Sequence, residues 1–178
     1  MATRQRLSLP GTWKSTVCEV LKGRGELAFD ADWEGFSHWV DRGSGRVVAE
    51  PPYPAPAGWL NHYGWQISRA EVAALAGRAD GTTAFLCGSA ENEADVRDLF
   101  DRMVCLVVDT GTLRDRLVGR TSNAFGQHPE ELAAALDAND AQEAAYRRLG
   151  ATIIDGTRAP GEVADAILAV GTSRSPSS

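Results

Sequence analysis

Apolar positions along this chain follow two patterns. Met103-Val-Cys-Leu-Val-Val108 is an unbroken apolar run, and Thr82-Thr-Ala-Phe-Leu-Cys87 is a shorter one that ends at Gly88. Runs of this length without polar alternation predict strands buried on both faces, as in a parallel sheet. Elsewhere the apolar positions recur at helical spacing. Ser68-Arg-Ala-Glu71 has the form of a capping box and opens a stretch with Val72, Leu75 and Ala76 on one face. Residues 91–100 and 112–120 predict helices, the second with Leu113 and Leu117 on its apolar side. Pro129 suits a first helical position and predicts a long helix to about Leu149. Thr152-Ile-Ile-Asp155 predicts a further strand, and residues 161–170 a last helix. Ahead of these, 3–9 and 26–30 read as strands and 15–22 as a helix.

Strands and helices alternating at these lengths predict an α/β fold: three layers, with a parallel sheet covered by helices on both faces. Residues 1–171 read as one domain, and the Ser-rich stretch 172–178 as a frayed tail. The front is less regular. Pro51-Pro-Tyr-Pro-Ala-Pro56 predicts an extended loop of polyproline character. All five tryptophans, Trp13, Trp33, Trp39, Trp59 and Trp65, lie in this front part. Residues 33–67 therefore read as an aromatic-rich insertion on the α/β frame.

A length of 178 residues with 43% hydrophobic content is enough for one buried core. No apolar run approaches 18 residues, which argues against a membrane span. The excess of 24 acidic over 18 basic residues, net −6, argues against a nucleic-acid binder. Cys18, Cys87 and Cys105 are far apart and beside apolar residues, which predicts buried thiols in a reducing, cytoplasmic setting. The opening MATRQRLSLP carries charge but no apolar segment of a secretory signal. Arginine supplies almost all the basic charge; Lys14 and Lys22 are the only lysines.

Lys14 stands in the most informative motif, Pro10-Gly-Thr-Trp-Lys-Ser-Thr16. A phosphate-binding loop wraps phosphate oxygens with backbone N–H groups, adds a lysine charge and offers a hydroxyl to Mg²⁺. Lys14, Ser15 and Thr16 fill its closing positions, and Gly11 and Thr12 suit the turn. Ser8 and Trp13 stand where the two signature glycines belong. Further stretches follow in order: Phe29-Asp-Ala-Asp32 after the second strand, Leu86-Cys-Gly-Ser89 after the third, Asp115-Arg-Leu-Val-Gly-Arg120, Arg120-Thr-Ser-Asn-Ala-Phe-Gly-Gln-His128, and Asp155-Gly-Thr-Arg-Ala-Pro-Gly-Glu-Val163. Together they resemble the small P-loop nucleoside, nucleotide and shikimate kinases, in particular their small bacterial AAA-domain kinase-like members.

The resemblance implies a P-loop architecture of the adenylate- and shikimate-kinase type, using ATP and Mg²⁺ on a small hydroxylated acceptor. Gly11, Thr12, Trp13, Lys14, Ser15 and Thr16 would form the phosphate loop, with Ser15 on the metal. Arg116 and the Gly156 turn would border adenine, and Arg120 would reach the phosphoryl group from a short lid at about 120–129. Asp30 and Asp32, at alternate positions, point the same way and would orient the acceptor. Trp33, Trp39, Trp59, His62 and Trp65 would wall the acceptor through stacking. A small-molecule substrate is the expected partner, the chain acting as monomer or homodimer.

Alternatives remain at several positions. Trp13 plugs the phosphate cup, stacks on a ligand or caps the helix start; in the first case the chain is a kinase-derived enzyme or metabolite-binding protein that has lost ATP use and needs no cofactor. Arg116 and Arg120, one turn apart, bind an anion or form a solvated face. Glu91 and Glu93 hold a cation or match a helix dipole. His38 reads as a helix-surface residue. Cys87 stands near the place where many P-loop enzymes carry an acidic metal-holding residue.

Overall fold

The apolar runs form strands because both of their faces meet helices. In the computed structural model, which describes residues 4–8, 14–52, 55–79, 81–119 and 128–172, five strands make one parallel sheet. They are β1 (Arg4–Ser8), β2 (Leu27–Asp30), β5 (Ala84–Cys87), β6 (Arg102–Val107) and β7 (Thr152–Asp155), in the order β2-β5-β1-β6-β7. The central strand is the arginine-bearing β1. It pairs in parallel with β5 on one side, Leu7 opposite Cys87, and with β6 on the other, Leu7 opposite Val104. The α/β architecture is the one the sequence predicts.

Alternate residues of the strands feed two cores, as a period of two requires. Phe85, Cys87, Val104 and Leu106 pack with Val17 and Leu21 of α1 (Lys14–Gly23) and Ile167 of α6 (Pro160–Thr172). Leu86 faces the other way, with Val72 and Leu75 of α3 (Arg69–Arg78) and with Val96 and Phe100. On that second face, Met103 and Cys105 meet Tyr146 of α5 (Pro129–Arg148), and Leu113 and Leu117 of α4 (Thr110–Gly119) meet Ala135. The chain therefore leaves the adjacent strands β1 and β5 toward opposite faces. That is a topological switch point, where a crevice opens at the carboxyl ends of the strands.

Local signals account for the helix boundaries. Ser68 caps α3, its Oγ accepting from the backbone N–H of Glu71 at 3.3 Å. Pro129 opens α5 as expected. The helix expected over 91–100 is a 3₁₀ helix, Glu93–Leu99. Glu93 and Val96 are buried and Leu99 partly so. That spacing of three matches three residues per turn, so the tighter helix keeps all three on one side.

The aromatic-rich stretch builds an antiparallel hairpin that hydropathy alone did not reveal. Its strands are β3 (Ser37–Asp41) and β4 (Tyr63–Ile67), with a single helical turn, α2 (Trp59–His62), just before β4. Trp39 lies directly opposite Trp65, and His38 is a half-buried strand residue rather than a helix-surface one. Val47, from the long loop, forms an isolated bridge with Val40. Among the described residues no helix is long and apolar enough to cross a membrane. All three cysteines are buried and free. Gly11, Thr12, Trp13 and Arg120, the bulk of the expected lid and the residues after Thr172 lie outside the described residues.

Candidate functional site

The start of α1, the turn after β2 and the loop after β5 meet at the switch point. Lys14, first residue of α1, is only 9% exposed. Its Nζ donates to Ser89 Oγ at 2.8 Å and to Asp32 Oδ2 at 3.3 Å. Lysine is rarely buried without a partner, because removing an ammonium from water is costly. Here a carboxylate and a hydroxyl supply what water would.

The Asp32 turn is braced from several sides. Asp30, buried at the end of β2, turns its Oδ1 back to accept the backbone N–H of Asp32 at 3.0 Å. The Glu34 N–H donates to the Asp30 carbonyl, and Glu34 Oε1 accepts from the Asp30 N–H at 2.8 Å. The two aspartates are thus not equivalent: Asp30 shapes the turn and Asp32 presents the carboxylate. Lys22, the second lysine, reaches Glu34 and Glu19, each at 3.0 Å. Those carboxylates, Glu34 foremost, raise the Lys22 pKa above the usual lysine range.

Ser89 reaches Lys14 because Gly88 precedes it. A Cβ at Gly88 would stand 2.4 Å from Ala31 Cβ, a separation that side chains do not tolerate. The missing side chain lets the loop after β5 press against the turn after β2, where the Ala31 N–H also donates to the Cys87 carbonyl at 2.7 Å. We expect Gly88→Ala to push the two loops apart and destabilise the fold by about 1–3 kcal/mol. Thermal unfolding checks the stability loss, and an unchanged melting temperature would contradict the close approach.

Beneath these residues two thiols have raised pKa values. Contact with Cys18 and burial raise the Cys87 pKa well above the usual thiol range. Burial likewise pushes Cys105 up to about 12. Cys87 therefore supplies no negative charge at neutral pH.

The aromatic hairpin is wired directly to Asp32. The Trp65 Nε1–H donates to Asp32 Oδ1 at 3.0 Å. The Trp65 ring meets Trp39 edge-on at 5.4 Å; Trp39 meets Trp59 at 6.2 Å, and Trp59 stacks on Tyr63 at 4.0 Å. The hairpin is fastened to the loop after β5. The Asn92 side chain bonds both the N–H and the carbonyl of Ile67, and the Glu91 N–H donates to the Trp65 carbonyl. Glu91 lies over Gly64, where a Cβ would overlap its carboxylate, and pairs with Arg42 at 2.7 Å. Glu93 turns back to accept the Ala90 N–H. Both glutamates thus serve local structure.

Other expected residues fall into place unevenly. Ser15 and Thr16 are exposed on the first turn of α1. Arg116 Nη1 donates to the Gly156 carbonyl at 2.9 Å, so the two expected adenine neighbours adjoin. Burial lowers the Arg116 pKa from the usual arginine value. Gly156 itself is tight against β6: a Cβ there would stand 3.1 Å from the Val107 carbonyl oxygen. Trp33 is 68% exposed and joins none of the ring contacts found among the described residues. His62 is exposed, touching only the edge of the cluster at Tyr63.

Ser89 and the Trp65 N–H are the components that sequence reasoning missed. The first had a signal, since small residues directly after a buried strand at a switch point let loops close together. The second had none, because the indole's partner depends on hairpin register. The donor set suits a magnesium nucleotide: exposed hydroxyls at the start of a ten-residue helix, a lysine beside them, and a hard carboxylate oxygen close by.

No family model matches the sequence, and no significant relative is found among curated proteins. The fold does match solved structures. A shikimate kinase from Acinetobacter baumannii, in complex with shikimate, is similar with a TM-score of 0.61 at 17% identity, over 96% of this chain and 92% of that one. An unliganded sugar kinase from a Janibacter species is similar with a TM-score of 0.53 at 17% identity, over 95% and 93%. The chain shares the α/β fold of these two kinases.

Proposed function

We propose that this protein is a small-molecule phosphotransferase that uses Mg-ATP. The observation that carries the reading is the convergence of Lys14, Asp32 and Ser89 at the switch point of the sheet. A lysine that opens a helix after the central strand, with a carboxylate next to it, is what phosphoryl transfer needs. Positioning and charge stabilisation carry most of the catalysis in such reactions.

In this reading Lys14 and the N–H groups at the start of α1 hold phosphate oxygens, and Ser15 holds Mg²⁺. Arg116 and the Gly156 turn border the base. Mg-ATP supplies the transferable phosphoryl group and a Lewis-acidic cation. Asp32 orients the acceptor hydroxyl and takes its proton. Trp39, Trp59 and Trp65, with Tyr63, wall the acceptor side, where ring faces suit a planar or sugar-like molecule. Arg120, outside the described residues, keeps the role the sequence resemblance implies, contact with the phosphoryl group. The structurally similar proteins are a shikimate kinase in complex with shikimate and a sugar kinase, which supports a small hydroxylated acceptor.

One observation favours a second reading. The Lys14 ammonium is already satisfied by Asp32 and Ser89, and Trp13 stands beside it in sequence where the loop needs glycine. A kinase-derived scaffold that no longer uses ATP would keep Lys14 in such a closed network. Thermal melting with millimolar Mg-ATP separates the two. The kinase reading expects wild type to gain stability, by about 2.7 kcal/mol at a hundredfold excess over Kd, and Lys14→Ala to gain none. Stabilisation of Trp13→Gly alone, with wild type unmoved, would favour the second reading.

A further inference from the structure

We propose that Trp65 is a positioning residue for Asp32, setting by its indole N–H which carboxylate oxygen faces the phosphate side. This rests on the reading of Asp32 as the acceptor-orienting carboxylate. The two oxygens of Asp32 have different partners: Oδ1 accepts from Trp65 Nε1 at 3.0 Å, and Oδ2 accepts from Lys14 Nζ at 3.3 Å. A carboxylate held on one oxygen by a rigid donor cannot rotate without breaking that bond. Oδ2 is then the oxygen turned toward Lys14, where acceptor and phosphoryl group would meet.

The donor is rigid for reasons outside the site. Trp65 sits mid-strand in β4, opposite Trp39, with its ring edge-on to that partner. Its carbonyl accepts from the Glu91 N–H, and two residues on, Ile67 is held by both ends of the Asn92 side chain. Both ties lead to the loop that carries Ser89. The Asp32 backbone is fixed independently by Asp30. Lysine, aspartate and indole thus form one unit built from α1, the β2 turn and the hairpin. Preorganisation of this kind keeps a reacting group aligned without reorganisation during transfer. An aromatic residue that only walled a pocket would need no N–H aimed at the carboxylate.

Two measurements test the assignment. In ¹⁵N NMR spectra, with the Trp65 indole resonance identified by its loss in Trp65→Phe, Asp32→Asn should displace that resonance more than any other indole signal. An unmoved resonance would overturn the proposal. The second is a double-mutant cycle on Mg-ATP turnover with water as acceptor, releasing ADP and inorganic phosphate. Trp65→Phe should lower kcat about 10- to 100-fold with little change in KM for ATP. In the Asp32→Asn background the same change should cost almost nothing more. A benzothiophene analogue of tryptophan at position 65, which keeps the ring but lacks the N–H, should match Trp65→Phe. Equal losses in both backgrounds, or wild-type kcat in the analogue, would reduce Trp65 to packing and overturn the proposal. If wild type neither binds nor turns over Mg-ATP, the kinase reading falls, and the indole spectrum still decides whether Trp65 holds Asp32.

Discussion

Lys14→Ala should lower Mg-ATP turnover by about 10³-fold, the scale of losing a preorganised charge contact to the reacting group. It should also remove ATP-induced stabilisation. Lys14 is the one lysine at the switch point, and its Nζ lies within hydrogen-bond distance of both a carboxylate and a hydroxyl. The fold itself should suffer little. Asp32, with a side chain 31% exposed, keeps the Trp65 N–H and meets water, so the lost pair is worth about 1 kcal/mol or less. Lys14→Met, which keeps the buried stem, separates charge from packing. Turnover assays with thermal melts of both variants check this. Loss of turnover with a collapsed melting temperature would assign Lys14 a structural role instead.

Asp32→Asn should act in opposite directions on binding and on transfer. ATP must draw Lys14 away from Asp32 and bring phosphate charge toward a carboxylate, and both costs vanish in the amide. We expect ATP to bind about tenfold more tightly, equivalent to about 1.4 kcal/mol. Transfer should fall roughly 10²- to 10⁴-fold, the scale of losing a positioned base. Calorimetric titration with ATP beside a turnover assay reads both. A parallel fall in affinity and turnover would mean that Asp32 helps hold the nucleotide rather than the acceptor.

The frame of the protein is legible because its physics is local. Buried parallel strands must be continuously apolar, as in Met103–Val108, and helix starts carry their own signals at Ser68 and Pro129. The candidate site is legible where a phosphate-loop motif has a fixed spacing, which singles out Lys14, the residue that meets Asp32 and Ser89. Two features defeat local reading. The arginines of Arg4–Ser8 argue against a central strand, yet backbone pairing on both sides makes it one. The hairpin's strands are separated by a long proline-rich loop, so neither short strand signals its partner. The contact of Trp65 with Asp32 depends on that pairing, joining residues 33 positions apart. Asp30 shows a subtler limit. Alternation put it beside Asp32, but a turn between them sends the two carboxylates to different tasks.

The tryptophan-rich front acquires a physical meaning from this geometry. Its rings do not merely fill a core. Trp39, Trp59 and Trp65 form a connected cluster whose innermost indole reaches the carboxylate paired with Lys14. Trp33 stands apart on the surface of the Asp32 turn.

Whether Lys14 holds the phosphates of a nucleotide is read by ³¹P NMR of Mg-ATP mixed with the protein. Wild type should shift and broaden the β- and γ-phosphorus resonances, and Lys14→Ala should leave them as in free Mg-ATP. Spectra that superimpose on free Mg-ATP in the presence of excess wild-type protein would contradict that role for Lys14.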